Sequence, residues 1–264
     1  MWGKQVEKMI KLLNLKKSFG NKVITDDLTL EIQEGEFLAI IGKSGEGKSV
    51  LLKQIIGLIH PDAGSVIIDS EDITKLKGKR LEEVFKKCGY VFQFAALLDS
   101  LNVFENVGIT LLEEGVAPER ARPLVIEKLQ SVGLGADILD KYPDELSGGM
   151  KKRVGLARTL MLSPRVLIYD EPTTGLDPIT VRLIHELMKK THDVLKATTI
   201  VISHDVEIFK YATQVAMLYE GKIVYKGPAS TIWECENPFI YQFIRGLVEG
   251  PIKQIGLVTS SEEN

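Results

Sequence analysis

The segment Gly42-Lys43-Ser44-Gly45-Glu46-Gly47-Lys48-Ser49 constrains this chain more than any other, because of what flanks it. It follows an apolar run over residues 37–41 and opens a helical pattern over residues 48–58. The spelling is G-x-x-x-x-G-K-[ST], a loop whose successive backbone N–H groups cradle phosphate, and strand–loop–helix is the setting it requires. Gly42 and Gly47 let the backbone wrap closely round an anion, and the positive end of the following helix adds to the attraction. Lys48 is expected to reach the outer phosphates and the Ser49 hydroxyl to bind Mg²⁺. Glu46 is an awkward acid in such a place. Its carboxylate is expected to point to solvent while its N–H joins the cradle.

The remaining pattern predicts an α/β fold. Residues 9–15 and 23–32 alternate as half-buried strands turned at Gly20-Asn21, with further short strands at 66–68 and 90–92. Residues 103–112, 118–132 and 149–162 carry apolar side chains at helical spacing, and Pro118 and Pro123 sit near the start of theirs, where proline is tolerated. Strand and helix then alternate through 166–169, 178–195 and 199–203. Residues 215–219 and 223–225 flank Glu220-Gly221-Lys222 as a hairpin. This order gives a mainly parallel sheet, with an N-terminal antiparallel β subdomain and an inserted α-helical subdomain over about residues 98–163.

Bulk properties exclude several classes. A net charge of −3 argues against nucleic-acid binding by bulk electrostatics. Cys88 and Cys235 lack metal-ligand spacing and read as two reduced thiols. No stretch approaches the ~20 apolar residues of a membrane-spanning helix. Met1-Trp2-Gly3-Lys4 lacks the apolar core of a signal peptide. A role at a membrane would therefore come from docking to a partner.

Two further segments carry chemistry. The apolar run at 166–169 ends in Asp170-Glu171, so a buried strand releases two acids at its carboxyl end, where open α/β sheets bind ligands. Asp170 is expected to hold Mg²⁺ through water, and Glu171 to act as the general base toward an attacking water. Before that strand, Ser147-Gly148-Gly149 opens a helix, so its hydroxyl and N–H groups form a second anion site. That site lies far along the helical insertion from Lys48.

In this order the segments resemble the ATP-binding-cassette (ABC) ATPases, P-loop NTPases, over nearly the whole chain. The resemblance implies ATP as substrate with Mg²⁺, bound along Gly42, Lys43, Ser44, Gly45, Glu46, Gly47, Lys48, Ser49 and Val50. Phe19 falls where the family has the aromatic that stacks on adenine, although a lone aromatic at a strand end also reads as core. Gln93 falls on the glutamine that contacts Mg²⁺ and the water and senses the permease, and His204 on the switch histidine that meets the γ-phosphate. Ser147, Gly148 and Gly149 match the signature, and Asp177 lies in the loop that crosses the dimer interface. The resemblance has these serve the ATP of an opposing subunit. One departure is Met150, where the signature usually carries glutamine. The groups that touch phosphate remain, so activity is expected to survive.

Met150, residues 92–107 and residues 242–252 resemble most the MCE-associated, Mla-type ATPases of lipid transport. That implies a homodimer, an integral-membrane permease, an MCE-domain protein, and a peripheral place on the cytoplasmic side of the inner membrane. An importer ATPase for amino acids or another small nutrient is an alternative, as is a soluble ABC protein acting on ribosomes or DNA. Phe94, Leu97, Leu98 and Phe104 are candidates to line a groove for a permease helix, or to pack the helical subdomain's own core. The expected organisation is one ABC ATPase domain over residues 1–250 and a tail over 251–264, partly disordered. A helix over 239–248 with Gly250-Pro251-Ile252 either clasps the dimer partner or packs on its own domain.

Overall fold

The computed structural model describes residues 8–253. Strand β1 (Lys8–Phe19) pairs antiparallel with β2 (Lys22–Gln33) across the turn at Gly20-Asn21. Each runs longer than its apolar alternation, because β-bulges absorb the breaks in period. Strand β3 (Phe37–Ile41) leaves for a second sheet, while β4 (Ala63–Ile68) and the two-residue β5 (Glu71–Asp72) complete the first in the order β2-β1-β4-β5.

The second sheet adds β6 (Cys88–Val91), β7 (Val166–Asp170), β8 (Thr198–Ile202), β9 (Gln214–Tyr219) and β10 (Lys222–Pro228). Its order is β10-β9-β3-β8-β7-β6, parallel throughout except for the β9–β10 hairpin. All residues of β3, β7 and β8 are buried, as strands covered on both faces must be. Phe37, Ala39 and Ile41 enter one core cluster, while Leu38 and Ile40 enter the other. The carboxyl ends of β3, β7 and β8 meet at one edge of this sheet, carrying the glycine loop, Asp170-Glu171 and Ser203-His204 with them.

Helix α1 (Lys48–Ile55) starts at the predicted residue and stops sooner, with Gly57 at φ +66° leading the chain away. Helix α2 (Lys79–Lys86) has no counterpart in the predicted elements. The insertion consists of α3 (Val103–Glu113), α4 (Pro118–Ser131) and α5 (Gly148–Leu160). Asn102 and Glu105 form a capping box that starts α3. Pro118 opens α4, but Pro123 lies inside it, beyond the four positions whose N–H groups have no intrahelical partner. Only the first of the two prolines is at a tolerated position.

After α6 (Pro178–Leu195), the C-terminal helix α7 (Pro238–Arg245) ends at Gly246, φ +62°, short of the predicted Val248. Beyond it, Gln242 is buried and binds the strap that follows: its Oε1 accepts from Ile252 N at 2.7 Å, and its Nε2 donates to Ile252 O at 3.2 Å. Ile252 is buried in the chain's own core. Of the two alternatives, packing on the chain's own domain describes Ile240, Gln242, Ile244 and Ile252, while Tyr241, Leu247 and Val248 stay exposed. The predicted disorder at 260–264 lies outside the described residues.

Helix α6 turns two histidines inward. His192 Nδ1 lies 3.0 Å from Thr199 Oγ1, and His185 sits against the Tyr211 ring with its Nε2 buried and unpartnered. Burial, opposed by nearby acids, pushes both below the ordinary value of 6.5. The unfolded chain therefore takes up protons that the folded chain refuses once pH falls below about 6.5. Thermal melting followed from pH 7.5 to pH 5.5 should show a falling midpoint, and His185→Phe should blunt that fall.

Candidate nucleotide site

The phosphate loop is built against two neighbouring strands. Gly42 has φ +153°, and a Cβ there would lie 2.3 Å from Leu218 O of β9. Gly47 has φ +87°, and a Cβ there would lie 2.4 Å from Ile24 Cγ2 of β2. No larger residue fits either position. Lys48 is buried and its ammonium donates to Gly42 O and Lys43 O, each at 2.8 Å, which folds the side chain back over the loop. Desolvation lowers its pKa, while Glu171, Glu46 and Asp170 pull the other way.

Glu46 departs from expectation. Its carboxylate accepts from Glu220 N at 2.7 Å, so it fastens the loop to the β9–β10 turn instead of standing free in solvent. Lys43 reaches the opposite side of the chain and donates to Lys253 O at 2.7 Å, while Tyr219 Oη donates to Pro251 O at 3.2 Å. The loop thus rests on the C-terminal strap as well as on β2 and β9. Ser44 and Gly45 form its exposed tip, and Val50 lies in the first turn of α1. Phe19 ends β1 half exposed, with the Lys17 ammonium 5.3 Å from its ring centre. An exposed flat ring suits a stacking platform and not a core side chain.

Strand ends assemble the acids. Ser49 Oγ donates to Asp170 Oδ1 at 2.9 Å, and Tyr90 Oη donates to Asp170 Oδ2 at 2.9 Å. Burial and the adjoining Asp170 hold the Tyr90 phenol far above its usual range, so it remains a donor. Glu171 is left-handed at φ +47°, a conformation that costs on the order of 1–3 kcal/mol. Its N–H donates to Ile202 O at 3.1 Å, which ties the strained residue to β8. Three side chains then meet its carboxylate. Gln93 Nε2 donates at 3.2 Å, Thr174 Oγ1 donates at 3.1 Å, and His204 Nε2 stands 2.7 Å away. A cavity of about 300 Å³ beside them is lined by Glu171, Thr174, Ser203 and His204 among others. Lys48, Ser49, Gln93, Asp170, Glu171 and His204, predicted from four separate segments, share one site.

The signature stands apart from this cluster. Ser147 caps α5 by accepting from Met150 N at 3.3 Å, and Ser147 and Gly148 are exposed. A Cβ on Gly149 would come within 2.8 Å of Thr180, and one on Gly148 within 3.8 Å of Leu176. The signature therefore packs beside the 174–180 segment of its own chain. Asp177 caps α6, accepting from Ile179 N, Thr180 N and Thr180 Oγ1, so in the chain alone its carboxylate is occupied locally. Met150 packs partly buried against the core, which accounts for an apolar residue there. At the far end of α5, Arg158 donates to Ala95 O and Ala96 O and holds the left-handed turn after Gln93.

The donor set fits Mg²⁺. A hydroxyl and a carboxylate side by side are hard oxygen ligands, and Mg²⁺ is commonly held by one or two carboxylates together with substrate phosphates. Bound there, the cation would neutralise charge on the phosphates. With ATP bound, the loop N–H groups and Lys48 would cradle the phosphates, and Glu171 would present Oε1 or Oε2 to the proton of a water. Sequence alone assigns no role to Tyr90, and it places Thr174 only in the interface loop with Asp177, not against Glu171. Each contacts an acid that was predicted, and only strand register or loop geometry reveals it.

Comparison with known proteins agrees with this geometry. The ABC transporter family matches residues 25–174. The intermembrane phospholipid transport ATP-binding protein MlaF of Haemophilus influenzae is 38% identical over 94% of this chain and 94% of its own. A probable ribonucleotide transport ATP-binding protein, mkl of Mycobacterium tuberculosis, is 40% identical over 92% of this chain and 68% of its own. Among solved structures, a dimeric ATP-binding cassette in a post-hydrolysis state with ADP and Pi superposes with a TM-score of 0.77. It is 32% identical and covers 84% of this chain and 99% of that one. The chain belongs to the ABC transporter family, as one of its ATP-hydrolysing subunits.

Proposed function

We propose that this chain powers phospholipid movement across or between envelope membranes, as the ATPase of an MCE-type complex. The observation that carries the reading is the full-length match to MlaF, which spans 94% of both chains. Two copies work as a head-to-tail homodimer around two Mg-ATP. Each ATP lies against Phe19, residues 42–50, Gln93, Asp170, Glu171 and His204 of one copy. Ser147, Gly148 and Gly149 of the other copy close over it, with Asp177 in the loop between the two sites.

The work is gating of a separate permease on the cytoplasmic side of the inner membrane, where the chain is peripheral. No helix among the described residues is long and apolar enough to cross a membrane. In this reading, contact with the membrane runs through a docked partner. The surface after Gln93 suits that contact. Phe94 is 84% exposed and Leu98 46%, whereas Leu97 and Phe104 pack inward against the core. The groove is thus narrower than the four residues first considered.

Purification of the chain with its membrane partner, followed by mass spectrometry of bound lipid, tests the reading. The expected result is an MCE-domain protein in the complex and phospholipid bound to it. A periplasmic solute-binding protein with no lipid would replace this reading by nutrient import. Recovery with ribosomes or DNA, and no membrane partner, would replace it by the soluble class.

A further inference from the structure

Tyr90 belongs to none of the motifs, yet it makes the second side-chain hydrogen bond to the carboxylate next to Ser49. Ser49 of α1 donates to Oδ1 of Asp170, and Tyr90 of β6 donates to Oδ2, each at 2.9 Å. A carboxylate gripped at one oxygen can rotate about its Cβ–Cγ bond. Gripped at both, by hydroxyls from two different elements, its plane is fixed.

The backbone makes this arrangement specific. Strand register pairs Tyr90 with Ile168, and side chains two apart on a strand share a face, so Tyr90 and Asp170 come to the same side of the sheet. The ring is itself restrained. Phe92 packs on it with centroids 4.5 Å apart and planes tilted by 51°, and Tyr90 O accepts from Thr159 Oγ1 of α5 at 3.3 Å. The hydroxyl is therefore aimed by packing, and it stands one hydrogen bond from the carboxylate that would serve a cation.

We propose that Tyr90 is a positioning residue for the divalent cation. Its hydroxyl fixes the plane of the Asp170 carboxylate, so that this acid meets the coordination shell of Mg²⁺ in one orientation. It touches neither nucleotide nor metal. The inference rests on the reading that Ser49 and Asp170 hold Mg²⁺.

The test is Tyr90→Phe, which keeps the ring and its contact with Phe92 and removes only the hydroxyl. Binding of a non-hydrolysable ATP analogue to the full-length protein is measured in EDTA and across a Mg²⁺ titration. Partners that orient metal ligands typically carry 10–100-fold in metal affinity, so the half-saturating Mg²⁺ concentration should rise by about that factor. Binding of the analogue in EDTA should be unchanged.

Asp170→Asn runs beside it. If that variant keeps the wild-type Mg²⁺ dependence, the cation reading itself fails, and the proposal with it. If Asp170→Asn loses the dependence while Tyr90→Phe keeps wild-type half-saturation, Tyr90 is merely satisfying a buried acid and the proposal alone is overturned. A melting temperature in EDTA separates the roles further: a purely structural hydroxyl would lower it without moving the Mg²⁺ titration.

Discussion

A chain carrying Glu171→Gln should bind ATP as the wild type does and turn it over about 10²–10⁴-fold more slowly. The substitution is nearly isosteric, so the left-handed backbone at φ +47° and the bond from Glu171 N to Ile202 O remain. The amide oxygen can still accept from Gln93 Nε2 or Thr174 Oγ1, as the carboxylate does now. What is lost is a basic oxygen able to take a proton from water. Lys48 and the loop N–H groups are untouched, so phosphate binding is preserved. Equilibrium nucleotide binding and phosphate release, measured on the same preparation, check the separation. Hydrolysis at the wild-type rate would remove Glu171 as the base and shift attention to His204, 2.7 Å from it.

Mixing two inactive variants should restore turnover. Ser147→Arg blocks the signature, and Glu171→Gln blocks the base. In a homodimer of either variant both sites are defective. In the mixed dimer, one site combines the intact Glu171 of the first chain with the intact Ser147 of the second. With random pairing, about a quarter of all sites become whole. ATPase activity of the equimolar mixture, after dissociation and reassembly, should approach that fraction of wild type. The geometry favours this outcome, because within one chain the Ser147 hydroxyl is turned to Met150 N as the cap of α5, and Gly149 packs beside Thr180. No recovery above the separate variants would mean that the signature serves its own chain's site.

Much of this site was legible because its parts are spelled contiguously. The glycine loop, Asp170-Glu171 and Ser203-His204 each sit at the end of an apolar run, and a parallel sheet brings such ends together. What the sequence hid depends on register and distance. Tyr90 meets Asp170 only through the pairing of β6 with β7. Glu46 finds Glu220, and Lys43 finds Lys253, across sequence separations of 174 and 210 residues. No local pattern encodes such pairs.

Two places escaped the sequence reading. Helix α2 does carry Leu81, Val84 and Phe85 at helical spacing, but the stripe spans little more than one turn between charged residues, too short to stand out as a helix. After Gln93, Ala95 and Ala96 turn left-handed at φ +59° and +48°, which breaks any regular spacing. That turn sends Phe94 and Leu98 outward while Leu97 packs inward. The choice between groove and core was made there by backbone conformation, not by hydrophobicity.

The strap from Gly250 to Lys253 changes how the chain would bear a load. Its last described carbonyl is held by Lys43, and its Ile252 is locked to Gln242. A pull on anything attached beyond residue 253 is therefore delivered to the phosphate loop through Lys43, to α7 through Gln242 and to β9 through Tyr219. Tension on the strap and the shape of the phosphate loop are thus mechanically coupled through one lysine.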